Sequence, residues 1–535
     1  MVIEKFYKEC KKLVKGKLEK PPKEINADLA MPCFPLAKKL KKSPQEIAKD
    51  IAGKIKPSGL IKKIEAAGPY VNFYADWNKL GKMVIKDVKK KPKKKKEKIM
   101  IEYCQTNTHK AFHVGHVRNI CLGEALSRIM EYRGYKIIRA NYQGDIGPHV
   151  AKCLWGLTNL KLEPGKEKGK WLGDIYAKAN SEIEGRAGLE EDVRKISNEL
   201  YKGKNKGLMQ LWKKTRKWSL DYFDSIYKDF SVKFDKLYFE SDVFKRGIVI
   251  AKNLLKKKIA KMSEDAIIID LKDLGVFIIL KSDEDPLYST KDLGLAELEF
   301  KEKPARVIHV VGSEQTLYFR QLFKTFEFMK KDWAEKSFHL SYGLVMLKSG
   351  KISSRAGSVV LYDELMKEGV DKARKEIKTH GLGKMENARD IAMSAIKYAM
   401  LSRDNNKSIQ FDWDHVLSFE GDSGPYLQYT YARANSILEK SEKKPLLNKI
   451  DDSFIEIMKK IALFDEVTEA SARDMKPHYL TNYLTELAAI FNEFYHSQRV
   501  IGDENEEALL AIVSAVKDVM EKGLTLLGIK ALKKM

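Results

Sequence analysis

The stretch Ile99-Met100-Ile101-Glu102-Tyr103-Cys104-Gln105-Thr106-Asn107-Thr108-His109-Lys110-Ala111-Phe112-His113-Val114-Gly115-His116 decides how this chain is read. Its first five residues form an apolar run of strand length, and a polar loop follows. From Gly115 to Arg133, Val117, Cys121, Ala125 and Ile129 recur at four-residue spacing, which predicts a helix. Gly134 ends it, and Lys136-Ile137-Ile138-Arg139-Ala140-Asn141 reads as the next strand. Strand, loop, helix, glycine and strand make a β-α-β unit, hence a parallel sheet within a multidomain α/β chain.

Upstream, residues to about Ala75 read as a small α+β unit. Ser43 can cap a helix that has Pro44 at its first position. Ile61 to Phe73 reads as extended chain around a Gly68-Pro69 turn. The block Lys89-Lys90-Lys91-Pro92-Lys93-Lys94-Lys95-Lys96-Glu97-Lys98 repels itself and carries a proline, so 76–98 reads as a linker, with RNA contact as the second reading. Residues from about 150 to 260 look like a helical insertion. Strands return at Ala266–Asp270, Val276–Leu280 and Arg306–Val311. From about Asn387 long amphipathic helices run to the end. The expected division is 1–75, 76–98, 99–361 with the insertion, and 362–535, the last a helical bundle.

The bulk properties narrow the class. The chain has 535 residues and the composition of a globular protein, with no apolar run of membrane-spanning length and no secretory pattern at Met1-Val2-Ile3-Glu4, so a cytoplasmic location is expected. The cysteines Cys10, Cys33, Cys104, Cys121 and Cys153 form no C-x-x-C pair, so no protein-bound zinc or other metal site is expected. A net charge of +25 suits a polyanionic partner, or simply a solvated lysine-rich surface.

The loop between the first strand and its helix lies where parallel sheets bind ligands, and helix N-terminal amides favour anions there. His113 and His116 can donate to phosphate oxygens as charge develops, and Gly115 lets a nucleotide approach the backbone. Far downstream, Met346-Leu347-Lys348-Ser349-Gly350-Lys351-Ile352-Ser353-Ser354-Arg355-Ala356-Gly357 is small, hydroxylated and cationic, as suits a loop that closes over departing pyrophosphate.

These two segments resemble the HIGH and KMSKS signatures of class I aminoacyl-tRNA synthetases. Over nearly its whole length the chain resembles the arginyl-tRNA synthetase family within that class. The family's opening, S-P-N-x-x-K-P-x-H-x-G-H, is matched here by Asn107, Lys110, His113, Gly115 and His116, while Gln105 and Thr106 depart from Ser-Pro. The resemblance implies a Rossmann-type catalytic domain, a small N-terminal domain that contacts the tRNA elbow, and a C-terminal anticodon-binding bundle. It implies that Lys351, Ser353, Ser354 and Arg355 bind ATP with the HIGH residues. Ser354 stands where the second KMSKS lysine is often missing in this family, and Lys110 would supply that charge.

A guanidinium needs carboxylates around five planar donors. Glu102 ends the first strand. Tyr288 and Asp292, in Asp285-Pro286-Leu287-Tyr288-Ser289-Thr290-Lys291-Asp292, resemble the family's Y-x-x-x-D element for the guanidinium. Asn107 and Gln315 match positions that hold the amino-acid backbone groups. Asn141-Tyr142-Gln143-Gly144-Asp145-Ile146-Gly147 resembles N-x-x-G-D-W-G, with Ile146 replacing Trp, and reads as pocket wall.

For tRNA, Tyr70 and Asn72 in Gly68-Pro69-Tyr70-Val71-Asn72-Phe73 are candidates for a splayed base. Tyr426, Tyr429 and Arg433, in Gly424-Pro425-Tyr426-Leu427-Gln428-Tyr429-Thr430-Tyr431-Ala432-Arg433, share a helix face and suit unstacked anticodon bases. The end, to Met535, resembles the family's C-terminus near the anticodon. The resulting expectation is an arginine–tRNA ligase that uses ATP with Mg²⁺, L-arginine and tRNA(Arg), away from membranes and as a monomer. The alternatives are a class I synthetase for another amino acid, a smaller H-x-G-H nucleotidyltransferase, and a non-catalytic tRNA-binding relative.

Overall fold

The computed structural model describes the chain apart from residues 1, 23, 282–285, 348–359, 382 and 452–453. Near the N-terminus, β1 (Leu29–Pro32), β2 (Ile61–Ala67) and β3 (Tyr70–Ala75) form an antiparallel sheet of order β1-β3-β2. The helix Pro44–Lys54 begins at Ser43, whose hydroxyl accepts the Glu46 N–H while Glu46 caps Ser43 in return.

The segment 76–98, read above as linker throughout, contains a helix at Trp77–Val88. Trp77, Leu80, Val84 and Val88 recur at three- and four-residue spacing and are buried, and the lysine run starts only at its end.

Five parallel strands form the central sheet. They are β4 (Lys98–Glu102), β5 (Lys136–Gln143), β6 (Lys236–Phe239), β10 (Arg306–Gly312) and β11 (Ser337–Tyr342), in the order β11-β10-β4-β5-β6. The β-α-β reading therefore holds, with β4 in the middle. Two strands went unseen in the sequence. β6 is only Lys-Leu-Tyr-Phe between long helices, and β11 alternates histidine and serine with apolar residues, so neither makes a long apolar run.

β7 (Lys261–Ser263), β8 (Ala266–Asp270) and β9 (Val276–Lys281) stay out of the central sheet and make an antiparallel meander. β12 (Val345–Leu347) pairs in parallel with β13 (Ile409–Phe411). Helices Pro148–Asn159, Lys168–Ile183, Ala187–Lys202 and Lys206–Asp229 form the insertion between β5 and β6.

The helix Val114–Tyr132 was expected to bury one face. It is buried almost all round, including Arg118, Asn119 and Glu124. It lies on the sheet and is covered by helices Ala388–Leu401, Phe464–Arg473 and Glu506–Leu526 from the C-terminal half. Its N-terminus is thereby held rigidly at the carboxyl end of β4. No helix among the described residues is long and apolar enough to cross a membrane.

Candidate active site

The loop after β4 turns through left-handed backbone at Cys104 (φ 83°), Gln105 (φ 37°) and His109 (φ 64°). Polar contacts hold that shape. The Asn119 Oδ1 accepts the Cys104 N–H at 2.7 Å, and its amide donates to Gln105 Oε1 at 2.7 Å and to the Val310 carbonyl at 2.8 Å. Because Gln105 Oε1 is taken, its amide nitrogen faces Glu102 and donates to Oε1 at 2.7 Å. Gln105, one of the two departures from the family pattern, thus orients the carboxylate at the end of β4. The other, Thr106, bonds the Tyr227 hydroxyl at 3.0 Å.

His113 caps the helix Val114–Tyr132. Its Nδ1 accepts the Gly115 N–H at 3.1 Å, and the His116 Nδ1 accepts the His113 N–H at 3.3 Å. Burial first, then Lys110, pushes His113 down to about 4; burial, His113 and Lys110 hold His116 well below the usual range. Two neutral rings whose Nδ1 atoms accept backbone protons must carry their own protons at Nε2. The pair, with ring centroids 3.8 Å apart and planes inclined by 32°, therefore offers two neighbouring N–H donors. Gly115 makes this possible in a way the sequence did not disclose. A Cβ there would lie 2.9 Å from His113 Cε1. Lys110 lies nearby, its ammonium 4.8 Å from the centroid of the Tyr176 ring on the insertion.

Lys351, Ser353, Ser354 and Arg355 lie outside the described residues. The flanks of that segment are described. β12 leads into it, and at Val360 the chain pairs with the HIGH segment: the Val360 carbonyl accepts the Val114 N–H, and the Tyr362 N–H donates to the Phe112 carbonyl, each at 2.9 Å.

Between β4, β10 and the helix Tyr288–Lys301, after the same loop, lies a cavity of about 410 Å³. Glu102, Asn107, Tyr288, Asp292 and Gln315 all line it, so one cavity gathers all five residues expected for arginine. Tyr288 stands largely exposed at the mouth. Asn107 packs against Gly144, where a Cβ would lie 2.1 Å from Asn107 Oδ1. Tyr142 and Gly144 form wall, as expected, while Ile146 joins the core of the insertion.

The cavity holds residues that the sequence reading missed. Glu240 is the first residue of a helix after β6, buried and paired with Lys291 at 2.8 Å. Glu299 follows Asp292 by seven residues on the same helix face and is 1% exposed. His309 sits opposite Glu102 in the β4–β10 ladder and donates from Nδ1 to Glu102 Oε2 at 3.0 Å. The Tyr318 hydroxyl donates to Asp292 at 2.5 Å. Two signals were available: a carboxylate at the carboxyl end of a strand for Glu240, and the i, i+7 spacing for Glu299.

Burial pushes Asp292 up to about 7 and raises Glu299 and Glu240. Burial alone would lower His309, but Glu299, Glu102 and Asp292 outweigh it and raise it to about 8. Glu102, Glu299 and His309 place possible ligand atoms within 4.8 Å of one another. Within this group the His309 imidazole, raised by its acidic neighbours, bonds Glu102.

The C-terminal half holds a second cavity, of about 810 Å³, on the helix Gly424–Lys440. Tyr426, Tyr429 and Arg433 line it together with Lys372, Lys375 and His496. The Arg433 guanidinium lies 4.6 Å from the Tyr429 ring centroid and 4.5 Å from that of Tyr495. The chain end folds back against another face of the same helix: Gln428 and Asn435 donate to the carbonyls of Lys530 and Lys533, and Met535 packs partly buried.

In the N-terminal sheet, Tyr70 is half-buried and edge-on to Phe34. Asn72 departs from expectation. It lies in the middle strand, fully buried, with both amide atoms unpartnered among the described residues, so it is not at the surface for a base to meet.

Three family models match the chain: "Arginyl tRNA synthetase N terminal domain" over residues 2–75, "tRNA synthetases class I (R), catalytic domain" over 79–413, and "DALR anticodon binding domain" over 427–535. The arginine–tRNA ligase of Bdellovibrio bacteriovorus is 38% identical over 97% of this chain and 94% of its own length. That of Clostridioides difficile is 33% identical over 99% and 98%. Among solved structures, Thermus thermophilus arginyl-tRNA synthetase aligns over 100% of this chain and 99% of its own, with a TM-score of 0.80 at 25% identity. The Plasmodium falciparum arginyl-tRNA synthetase shares the fold, with a TM-score of 0.76 at 20% identity over 100% and 98% of the two chains. The chain belongs to the arginyl-tRNA synthetase family of class I aminoacyl-tRNA synthetases, and its activity is that of an arginine–tRNA ligase acting on ATP, arginine and tRNA.

Proposed function

We propose that the acidic cavity beside β4 and β10 is the arginine site and that the HIGH loop is the ATP-phosphate site. The observation that carries this reading is the charge inventory of the cavity. Glu102, Glu240, Asp292, Glu299 and Glu314 put five acidic side chains in the lining, against the cation His309 there and Lys291 paired with Glu240. Arginine brings two cations, its guanidinium and its ammonium, to a wall in which acids outnumber cations. Tyr288 closes the mouth, and Asn107 and Gln315 take the backbone groups, leaving the carboxylate toward His113.

The arginine carboxylate attacks the α-phosphate of ATP, forming arginyl-adenylate and releasing pyrophosphate. The Nε2–H groups of His113 and His116 and the Lys110 ammonium stabilise charge that grows on phosphate oxygens. Mg²⁺ accompanies ATP through phosphates and water. Lys351, Ser353, Ser354 and Arg355 cover the leaving pyrophosphate from a segment whose far end is tied to the HIGH loop at Val360. A terminal ribose hydroxyl of tRNA then takes the arginyl group. The groove of Tyr426, Tyr429 and Arg433 stacks anticodon bases, Met535 contributes to the same tRNA contact from the chain end, and Tyr70 meets the tRNA elbow. No zinc takes part, and the enzyme works as a cytoplasmic monomer.

ATP–pyrophosphate exchange with each amino acid, with and without tRNA, tests the reading. Arginine alone should support exchange. Exchange with cysteine or lysine but not arginine would overturn it, and tight tRNA binding without any exchange would favour a non-catalytic relative.

A further inference from the structure

The lysine run that joins the N-terminal sheet to β4 is used by none of the sites above. It is not a free tether. The Lys95 N–H donates to the Gly134 carbonyl at 2.7 Å, and the Lys95 ammonium lies 3.9 Å from the Tyr135 ring centroid. The Lys136 N–H donates to the Glu97 carbonyl at 3.0 Å, and the Lys98 ammonium bonds the Glu302 carbonyl at 2.6 Å. The backbone of Lys93 crosses so close to Gly134 that a Cβ there would lie 2.1 Å from the Lys93 carbonyl oxygen.

The ammonium groups, by contrast, are mostly unmatched. Lys90 pairs with Asp87, and Lys95 has Glu469 only at 3.8 Å. Lys89, Lys91, Lys93, Lys94 and Lys96 are exposed and have no acidic partner among the described residues. The crowding extends to a neighbour. Burial holds Lys522 below its ordinary value against the opposing pull of Asp518, Lys91 and Lys89 add a smaller downward push, and its ammonium bonds the Val88 carbonyl. A loose linker would relieve such repulsion by extending. Here the backbone is pinned and the charges stay together, an arrangement with an electrostatic cost that a polyanion would offset.

The run also borders a cavity of about 480 Å³. Lys90, Lys91 and Lys93–Lys95 line it with apolar residues such as Val84, and its two acids, Asp87 and Asp465, are paired with Lys90 and Arg133. It lies at the carboxyl end of the helix Val114–Tyr132, whose other end carries His113 and His116. At about 1.5 Å per residue, the 19 residues of that helix put about 28 Å between them, too far for these lysines to touch ATP.

We propose that Lys89–Lys96 forms a preorganised strap for the sugar–phosphate backbone of the substrate tRNA, engaged away from the aminoacylated end. The tRNA partnership of the family supplies the occupant. The inference does not depend on which side chains hold arginine or ATP. Pinned backbone and unpaired cations fit phosphates that bind by counterion release, without reading sequence.

The test is a triple variant of the full chain, Lys91→Gln with Lys93→Gln and Lys94→Gln, beside the charge-conserving triple change of the same lysines to arginine. The glutamine variant should raise the KM for tRNA about tenfold near 100 mM salt and flatten the slope of log K against log salt by about 2, at about 0.7–0.9 per phosphate contact. The KM for arginine should not move, and the arginine variant should retain both the tRNA KM and the salt slope. A failure of the arginine-site reading would show instead as loss of exchange specificity in the unaltered chain. An unchanged tRNA KM and salt slope in the glutamine variant would overturn the proposal. So would equal weakening in the arginine variant, or a loss confined to binding of polyglutamate, which would mark the strap as a protein-docking surface.

Discussion

Glu102 and His309 face each other across neighbouring parallel strands, carboxylate Oε2 to imidazole Nδ1 at 3.0 Å, both buried. The other oxygen of Glu102 is held by Gln105 at 2.7 Å. The carboxylate therefore has one orientation before any ligand arrives, which lowers the ordering cost of binding. Glu102→Gln should raise the arginine KM at least a hundredfold, about 3 kcal/mol, the scale for truncating a buried charge pair. His309→Gln should raise it less, since an amide donates one hydrogen bond but carries no charge. Steady-state exchange kinetics separate the two, and equal effects would argue against an electrostatic role for His309.

Arginine affinity should depend on pH with a defined sign. Burial lifts Asp292 from 3.8 to about 7 in the empty cavity. A guanidinium binds the carboxylate form, so binding releases the proton and weakens about tenfold per pH unit below 7. The same lift acts oppositely on the empty protein: its contribution favours folding below pH 4 and is lost as pH rises through 7. Above about 8, His309 loses its proton and Glu102 its cationic partner. Calorimetric titration with arginine should give tighter binding near pH 7.5–8 than at pH 6, with proton release at pH 6. The rise in melting temperature by saturating arginine should be larger at pH 8 than at pH 6. A flat profile from pH 6 to 8 would remove Asp292 from the site.

Lys110→Ala should slow arginine-dependent pyrophosphate exchange about thirtyfold or more, the range for a charge-assisted phosphate contact, with little change in tRNA affinity. Filter binding beside exchange measures both. Equal loss of the two would refute the ATP role.

Gly115→Ala tests the histidine geometry. The new methyl would press on His113 Cε1 at 2.9 Å and turn the ring away from the Gly115 N–H. Exchange should fall about tenfold while stability drops by only about 1 kcal/mol. A variant of normal activity would show that the close imidazole pair is not required.

Tyr429→Ala should raise the tRNA KM about tenfold, since one stacked base is worth about 1–3 kcal/mol, and leave the ATP and arginine KM values unchanged. Loss of the Arg433–Tyr429 contact alone would be a smaller, stability-only effect that thermal melting would detect.

What was legible in the sequence rests on local physics. Apolar periodicity identified β4, the helix Val114–Tyr132 and β5, because period and length are properties of the chain itself. Ser43 and Pro44 announced a helix start for the same reason. The motif match carried Lys110, His113 and His116, and placed five arginine-site candidates that line one cavity. Tertiary structure alone decided the rest. Glu240, Glu299, His309 and Tyr318 come from four elements, and only sheet order and helix packing bring them to Glu102. The protonation of His113 and Asp292 follows from burial, which no local pattern encodes. Asn72 matched its motif but lies in the middle strand of its sheet, where packing buried it. The lysine run displayed its charge in the sequence, yet whether that charge is a tether or a pinned surface depended on Gly134, Tyr135 and Glu302, contacts that only folding creates.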